Sequence, residues 1–116
     1  MDEQASALIE FDDFMKVDMR VGTVLKAELN PKARKPAYVL TIDFGPLGIK
    51  SSSAQITQNY SPADLVGKQV VAVVNFPAKR IAGFASEVLV LGAYSAAKDV
   101  VLLQPTLTVE NGSRIG

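Results

Sequence analysis

In two runs, 21–29 and 37–44, side chains of one character recur at every second position, the repeat of a half-buried β-strand and not of a helix. Val21, Thr23, Leu25, Ala27 and Leu29 form one face of a long strand, with Arg20, Lys26 and Glu28 on the other. Gly22 inside this run predicts a bulge or bend, a device that closed sheets need. Asn30-Pro31 ends the strand. In a second strand over 37–44, Tyr38, Leu40, Ile42 and Phe44 alternate with Ala37, Val39, Thr41 and Asp43. Gly45-Pro46-Leu47-Gly48 is a turn, so 49–53 returns as a hairpin partner. Ser61-Pro62-Ala63-Asp64 combines a serine cap, proline at the first helical position and a carboxylate three residues after the cap; it opens a one-turn helix that Gly67 stops. A fourth strand spans 68–76 and Pro77 ends it. Residues 79–84 form a loop, 87–91 a fifth strand and 99–103 a short sixth. Five principal strands with a helix between the third and fourth define an all-β chain. A Greek-key OB-fold barrel satisfies the pattern, and so does a small sandwich.

The 116 residues suffice for one domain, and 48% hydrophobic with 21% charged residues is a globular balance. Cysteine and histidine are both absent, which removes disulfides, thiolate metal sites, cysteine nucleophiles and every histidine-based triad. Twelve basic and twelve acidic residues cancel, but unevenly. Five acids and no base fall within residues 1–13, so the remainder carries an excess of five bases. That excess fits a local basic face and ordinary surface charge equally well. Residues 2–9 suit a short helix with acids in its first turn, and Phe11 and Phe14 follow as anchors. The longest apolar runs, such as 70–74, are far shorter than a bilayer span, and the first residues are acidic where a signal peptide is basic. The expectation is a soluble cytoplasmic chain without membrane insertion.

Catalytic readings are weak. Lys50 beside Ser51, Ser52 and Ser53 is not a base–nucleophile pair, because neighbouring strand residues face opposite ways. Asp12 and Asp13, neighbours at a helix-to-strand junction, suit solvated or capping roles. Gly45-Pro46-Leu47-Gly48 lacks the lysine and following helix of a phosphate loop. The expectation is a non-enzyme without cofactor or metal. Ligand binding reads more strongly. Residues 75–86 hold Asn75, Phe76, Lys79, Arg80, Ile81, Phe84 and Ser86, together with Gly83, at which a ligand meets only backbone. Cations neutralise phosphates and aromatic or guanidinium planes stack on splayed bases. Lys32, Arg34 and Lys35 add a basic loop between the first two strands, a loop that OB folds use for binding.

Asp13-Phe14-Met15-Lys16-Val17-Asp18-Met19-Arg20-Val21-Gly22 resembles the entry motif of the bacterial-type tRNA-binding OB domain family. That domain stands alone as a dimer or is appended to methionyl- and phenylalanyl-tRNA synthetases. Asn30 to Lys35, Tyr60-Ser61-Pro62 with Leu65-Val66-Gly67-Lys68, and Asn75 to Ser86 match successive motifs in order, covering about residues 11 to 116. Ser52 to Thr57 and Lys79 to Phe84, followed by Ser86 to Gly92, resemble the family's export-related chaperone branch. Where tRNA-binding members continue with Gly-Met after the matching serine, this chain has Val88 and Leu89. The resemblance implies a single domain over 1–116, with 1–13 an extension at a homodimer contact. It implies RNA contacts at Asn75, Lys79, Arg80 and Ser86. It further implies a chaperone that binds apolar, basic or extended segments of unfolded or precursor polypeptides for protein export, the alternative being a tRNA-binding protein; such a chaperone needs a concave apolar groove, which Phe76, Ile81 and Phe84 are expected to supply.

Overall fold

The computed structural model describes residues 6–116. Its principal sheet is built from β1 (Met19–Leu29), β2 (Tyr38–Asp43), β3 (Ile49–Ala54), β4 (Gln69–Val73) and a later strand at Leu89–Val90. The order along this antiparallel sheet is β3-β2-β1-β4 and then Leu89–Val90. β4 therefore skips the β3 edge and pairs with β1, the Greek-key step. Two short strands, β5 (Lys79–Ile81) and β6 (Phe84–Ser86), precede Leu89–Val90, which becomes β7. β8 (Gly92–Tyr94) and β9 (Val100–Leu102) form a last pair. The sheet coils until its ends nearly meet: the Glu87 N–H donates to the Ser51 carbonyl at 2.8 Å, and the Ser52 hydroxyl donates to the Val88 carbonyl at 2.9 Å. This is the OB-fold barrel, with helix α2 (Pro62–Leu65) between its third and fourth strands.

The second strand keeps the expected face: Tyr38, Leu40, Ile42 and Phe44 are buried. The first does not. Val24 pairs with Ile42 but Lys26 pairs with Thr41, so Leu25 is an extra residue on β1. This bulge reverses the alternation. Val24 enters the core, while Leu25 and Leu29 face outward. The bulge thus falls three residues after Gly22. Gly22 serves a different purpose: a Cβ there would lie 2.6 Å from Ile42 Cγ2 and 2.8 Å from the Phe44 ring. Its missing side chain lets β1 coil tightly over the core.

Helix α2 follows its sequence signals. The Asp64 N–H donates to Ser61 Oγ at 3.3 Å, and the Ser61 N–H donates to Asp64 Oδ2 at 3.0 Å. Leu65 then drops into the core beside Val24 and Val70. Fully burying such a side chain contributes roughly 1.5–3 kcal/mol. The helix expected over 2–9 differs. Residues 2–5 lie outside the described residues, and 6–10 are irregular. The helix α1 covers Phe11–Met15 instead, because Asp13 Oδ2 captures the Glu10 N–H at 3.0 Å and sets the start there. Leu8, 99% exposed, buries nothing that would support an earlier turn. Phe11 is likewise exposed, and Phe14 is half-buried.

The C-terminal segment completes β1. Val21 N–H donates to the Ser113 carbonyl, Gly112 N–H to the Val21 carbonyl and Ile115 N–H to the Met19 carbonyl, at 2.9, 2.7 and 2.9 Å. Arg20 braces this strap through Gly112 O at 3.0 Å and through Asp18 Oδ1 at 2.6 Å.

Candidate nucleic-acid and polypeptide interface

The segment expected as a loop over 79–84 is a hairpin. Lys79 pairs with Ser86, Arg80 with Ala85 and Ile81 with Phe84. The turn between them, Ala82–Gly83, has φ of +47° and +93°. Two successive positive φ values define the two-residue turn whose twist suits a hairpin, and Gly83 takes the second at no steric cost. Because strand side chains alternate, Lys79, Ile81, Phe84 and Ser86 share one face and Arg80 points from the other. The two cations therefore diverge. The hairpin is fastened to β3 by polar bonds: Ser51 Oγ donates to the Ala85 carbonyl at 2.7 Å, and Ser86 Oγ accepts the Ser53 N–H at 2.9 Å.

The basic loop leans on the same hairpin. Asn30 is buried at its base. Asn30 Oδ1 accepts the Lys32 N–H at 3.0 Å, and its Nδ2 donates to the Ala82 carbonyl at 3.4 Å. Lys32 runs alongside the hairpin tip, with Cδ 3.2 Å and Nζ 3.5 Å from where a Gly83 Cβ would sit. The β1–β2 loop and the β5–β6 hairpin thus make one wall. Lys32, Arg34, Lys35, Lys79 and Arg80 are exposed on these two segments, Arg80 from the hairpin's other face, and none pairs with a carboxylate among the described residues. Sequence reasoning missed Asn30, although Asn-Pro before a basic run is an Asx-turn signal.

Asn75 lies apart from this wall in its bonding. Its Oδ1 accepts the Asp18 N–H at 3.0 Å and its Nδ2 donates to the Lys16 carbonyl at 2.7 Å. It clamps the entry of β1 to the exit of β4. Phe76 follows it, 55% exposed.

Beside the wall is an open groove of about 660 Å³. Ala54 and Ile56 line it from the end of β3, and Leu89, Val90 and Leu102 from the strands opposite. Lys35, Pro36 and Ile81 form one lip; Tyr94 and Lys98 come from the β8–β9 hairpin. Of the three apolar residues expected to bind polypeptide, only Ile81 lines this groove. Phe84 packs half-buried across the hairpin from Ile81, and Phe76 is elsewhere. Gln55 and Gln58 add amides to the lining. Asp99 also reaches it, and hydrogen bonds from the Ser95 hydroxyl and from Asn59 hold its carboxyl below the usual carboxylate range. Val88 and Leu89, the pair that departs from the Gly-Met pattern, divide their work: Val88 is core and Leu89 groove. Among the described residues no three acidic side chains gather as a metal site, and no helix is long and apolar enough to cross a membrane.

A family model described as "Putative tRNA binding domain" matches residues 19–114. The chain belongs to this tRNA-binding domain family. Crystal structures of the chaperone CsaA are similar throughout. That from Bacillus anthracis str. Ames is 59% identical with a TM-score of 0.90, covering 95% of this chain and 100% of the other. That from Picrophilus torridus is 49% identical with a TM-score of 0.88, covering 94% and 100%. Methionine–tRNA ligases also match: the enzyme of Porphyromonas gingivalis is 40% identical over 107 residues, 92% of this chain. The chain spans only 15% of that ligase's length. Within the tRNA-binding domain family, then, this sequence falls with CsaA.

Proposed function

We propose that this chain is a holdase-type chaperone that binds extended segments of unfolded or precursor polypeptides, in the cytoplasm and ahead of their export. The observation that carries the reading is the groove. It is open and floored by aliphatic side chains, and it carries the Gln55 and Gln58 amides that can bond a passing main chain. Such a site accepts many sequences because it reads backbone and apolar bulk. The similarity to CsaA along the whole chain supports it. Exposed cations on the neighbouring lip oppose strongly basic segments, so apolar and acidic stretches are the better clients. A labelled, extended apolar peptide tests the reading by fluorescence anisotropy. Leu89→Asp should abolish binding at an unchanged melting temperature; a folded Leu89→Asp protein that binds as before refutes it.

A second reading, binding of structured RNA such as tRNA, rests on the exposed cations of the β1–β2 loop and the hairpin, which have no carboxylate partners among the described residues, and on family membership. The salt dependence of tRNA affinity separates it from apolar peptide binding, since each phosphate contact adds about 0.7–0.9 to the log–log slope. We further propose a homodimer. Leu8, Ile9, Phe11 and Met15 are all exposed at the N-terminal side, and a second copy would cover them. Light scattering should give twice the 12.4 kDa chain mass; a monomer mass at micromolar concentration overturns this part.

A further inference from the structure

The wall that carries the cations is also the lip of the groove. Lys35 belongs to both: it is one of the basic-loop residues and it lines the groove with Pro36 and Ile81. The hairpin repeats this sharing: Ile81 lines the groove, and Lys79 stands on the same face two residues away. Asn30 joins loop and hairpin: its Oδ1 accepts the Lys32 N–H and its Nδ2 donates to the Ala82 carbonyl. We infer that RNA and polypeptide exclude one another: an RNA backbone held at Lys32, Arg34 and Lys35 closes the groove mouth, and RNA is therefore a negative effector of the chaperone site.

This inference rests on the polypeptide reading above and adds regulation to it. Three physical steps lead to it. A phosphate that engages the Lys35 ammonium withdraws that side chain from any ligand crossing the lip. A folded RNA stem is wide and stiff and does not thread past an occupied groove. Coupling between sites is reciprocal, so whatever factor RNA removes from peptide affinity, peptide removes from RNA affinity.

The magnitudes follow from mass action. With tRNA at ten times its own Kd, a fully competing peptide loses affinity about elevenfold. Salt then reverses the effect. If Lys32, Arg34 and Lys35 each neutralise one phosphate, tRNA affinity falls by roughly 20- to 40-fold between 50 and 200 mM salt. The same tRNA concentration no longer competes there. Added salt should consequently strengthen peptide binding when tRNA is present and change it little when tRNA is absent.

The experiment uses the full chain, a labelled extended apolar peptide as probe and unlabelled tRNA as competitor, at about 50 and 200 mM salt, the interval over which phosphate contacts weaken most visibly. The inference expects displacement at low salt and recovery to within about twofold at high salt, because counterion release no longer drives the RNA onto the wall. Retained peptide affinity at saturating tRNA, or a complex holding both ligands, overturns the inference while leaving the polypeptide reading intact. Peptide that fails to bind even without tRNA overturns that reading, and the inference with it.

Discussion

Replacing Asn75 with alanine separates a ligand contact from a framework contact. Its carboxamide bonds the Asp18 N–H at 3.0 Å and the Lys16 carbonyl at 2.7 Å. A neutral intramolecular hydrogen bond is worth about 0.5–1.5 kcal/mol net, so two amount to about 1–3. Asn75 is exposed, and water replaces part of what is lost, which puts the expected cost at about 1–2 kcal/mol. Unfolding entropy near 2.1 cal/mol/K per residue converts this, for 116 residues, into a melting temperature lower by about 4–8 °C. Thermal and urea melts measure the stability, and tRNA titration of the folded variants at fixed salt measures the contact. Unchanged tRNA affinity with a lowered midpoint is the expected result. A normal midpoint with tRNA affinity weakened tenfold would refute the clamp and return Asn75 to the RNA surface.

Gly22→Ala forces a methyl to within 2.6 Å of Ile42 and 2.8 Å of Phe44; overpacking of this kind costs about 1–3 kcal/mol, read as a lower urea midpoint with an unchanged slope. Changing Lys32, Arg34 and Lys35 together to alanine should hold stability within about 0.5 kcal/mol, as at exposed sites generally, while tRNA affinity and its salt slope both fall. Arg20 holds the Asp18 carboxyl below the usual carboxylate range, mainly through its side-chain hydrogen bond. The folded pKa is depressed, so this stabilisation is full above the unfolded carboxylate pKa and fades as pH drops through the folded one. Asp18→Asn should thus be less stable than the parent at neutral pH and should lose less on acidification below about pH 4, as measured by urea melts across that range.

Strand β2 and helix α2 are legible in the sequence because their signals are local and redundant. Tyr38, Leu40, Ile42 and Phe44 fill one face of β2, and the Ser61 cap with Pro62 fixes α2 without help from afar. The register of β1 is not legible. Nothing in Val24-Leu25-Lys26 marks a bulge, because the extra residue is set by how β2 meets β1 across the sheet. The hairpin at 79–86 escapes sequence reasoning for a related reason: Ala82 is not a residue that advertises positive φ, and only Gly83 does. The N-terminal helix boundary is displaced because a capping carboxylate at Asp13 outweighs a favourable composition over 2–9.

The binding residues divide along the same line. The lysines and arginines of the wall are exposed, since five charged heads without carboxylate partners have nowhere else to go. The polar but uncharged residues behave differently. Asn30, Asn75 and Ser86 each bond a backbone group of another segment, as short polar side chains do wherever a chain leaves regular structure. They tie the loop to the hairpin, β4 to the start of β1, and the hairpin to β3. By sequence alone such residues are indistinguishable from ligand contacts, because both roles need a donor and an acceptor near a loop. In the structure these three spend part of their bonding capacity on backbone groups. The consequence reaches beyond any single position. Amide and hydroxyl substitutions in this surface should move the melting temperature, and cation substitutions should move the salt slope. A surface whose two observables shift independently is one in which framework and ligand chemistry have been assigned to different residue types.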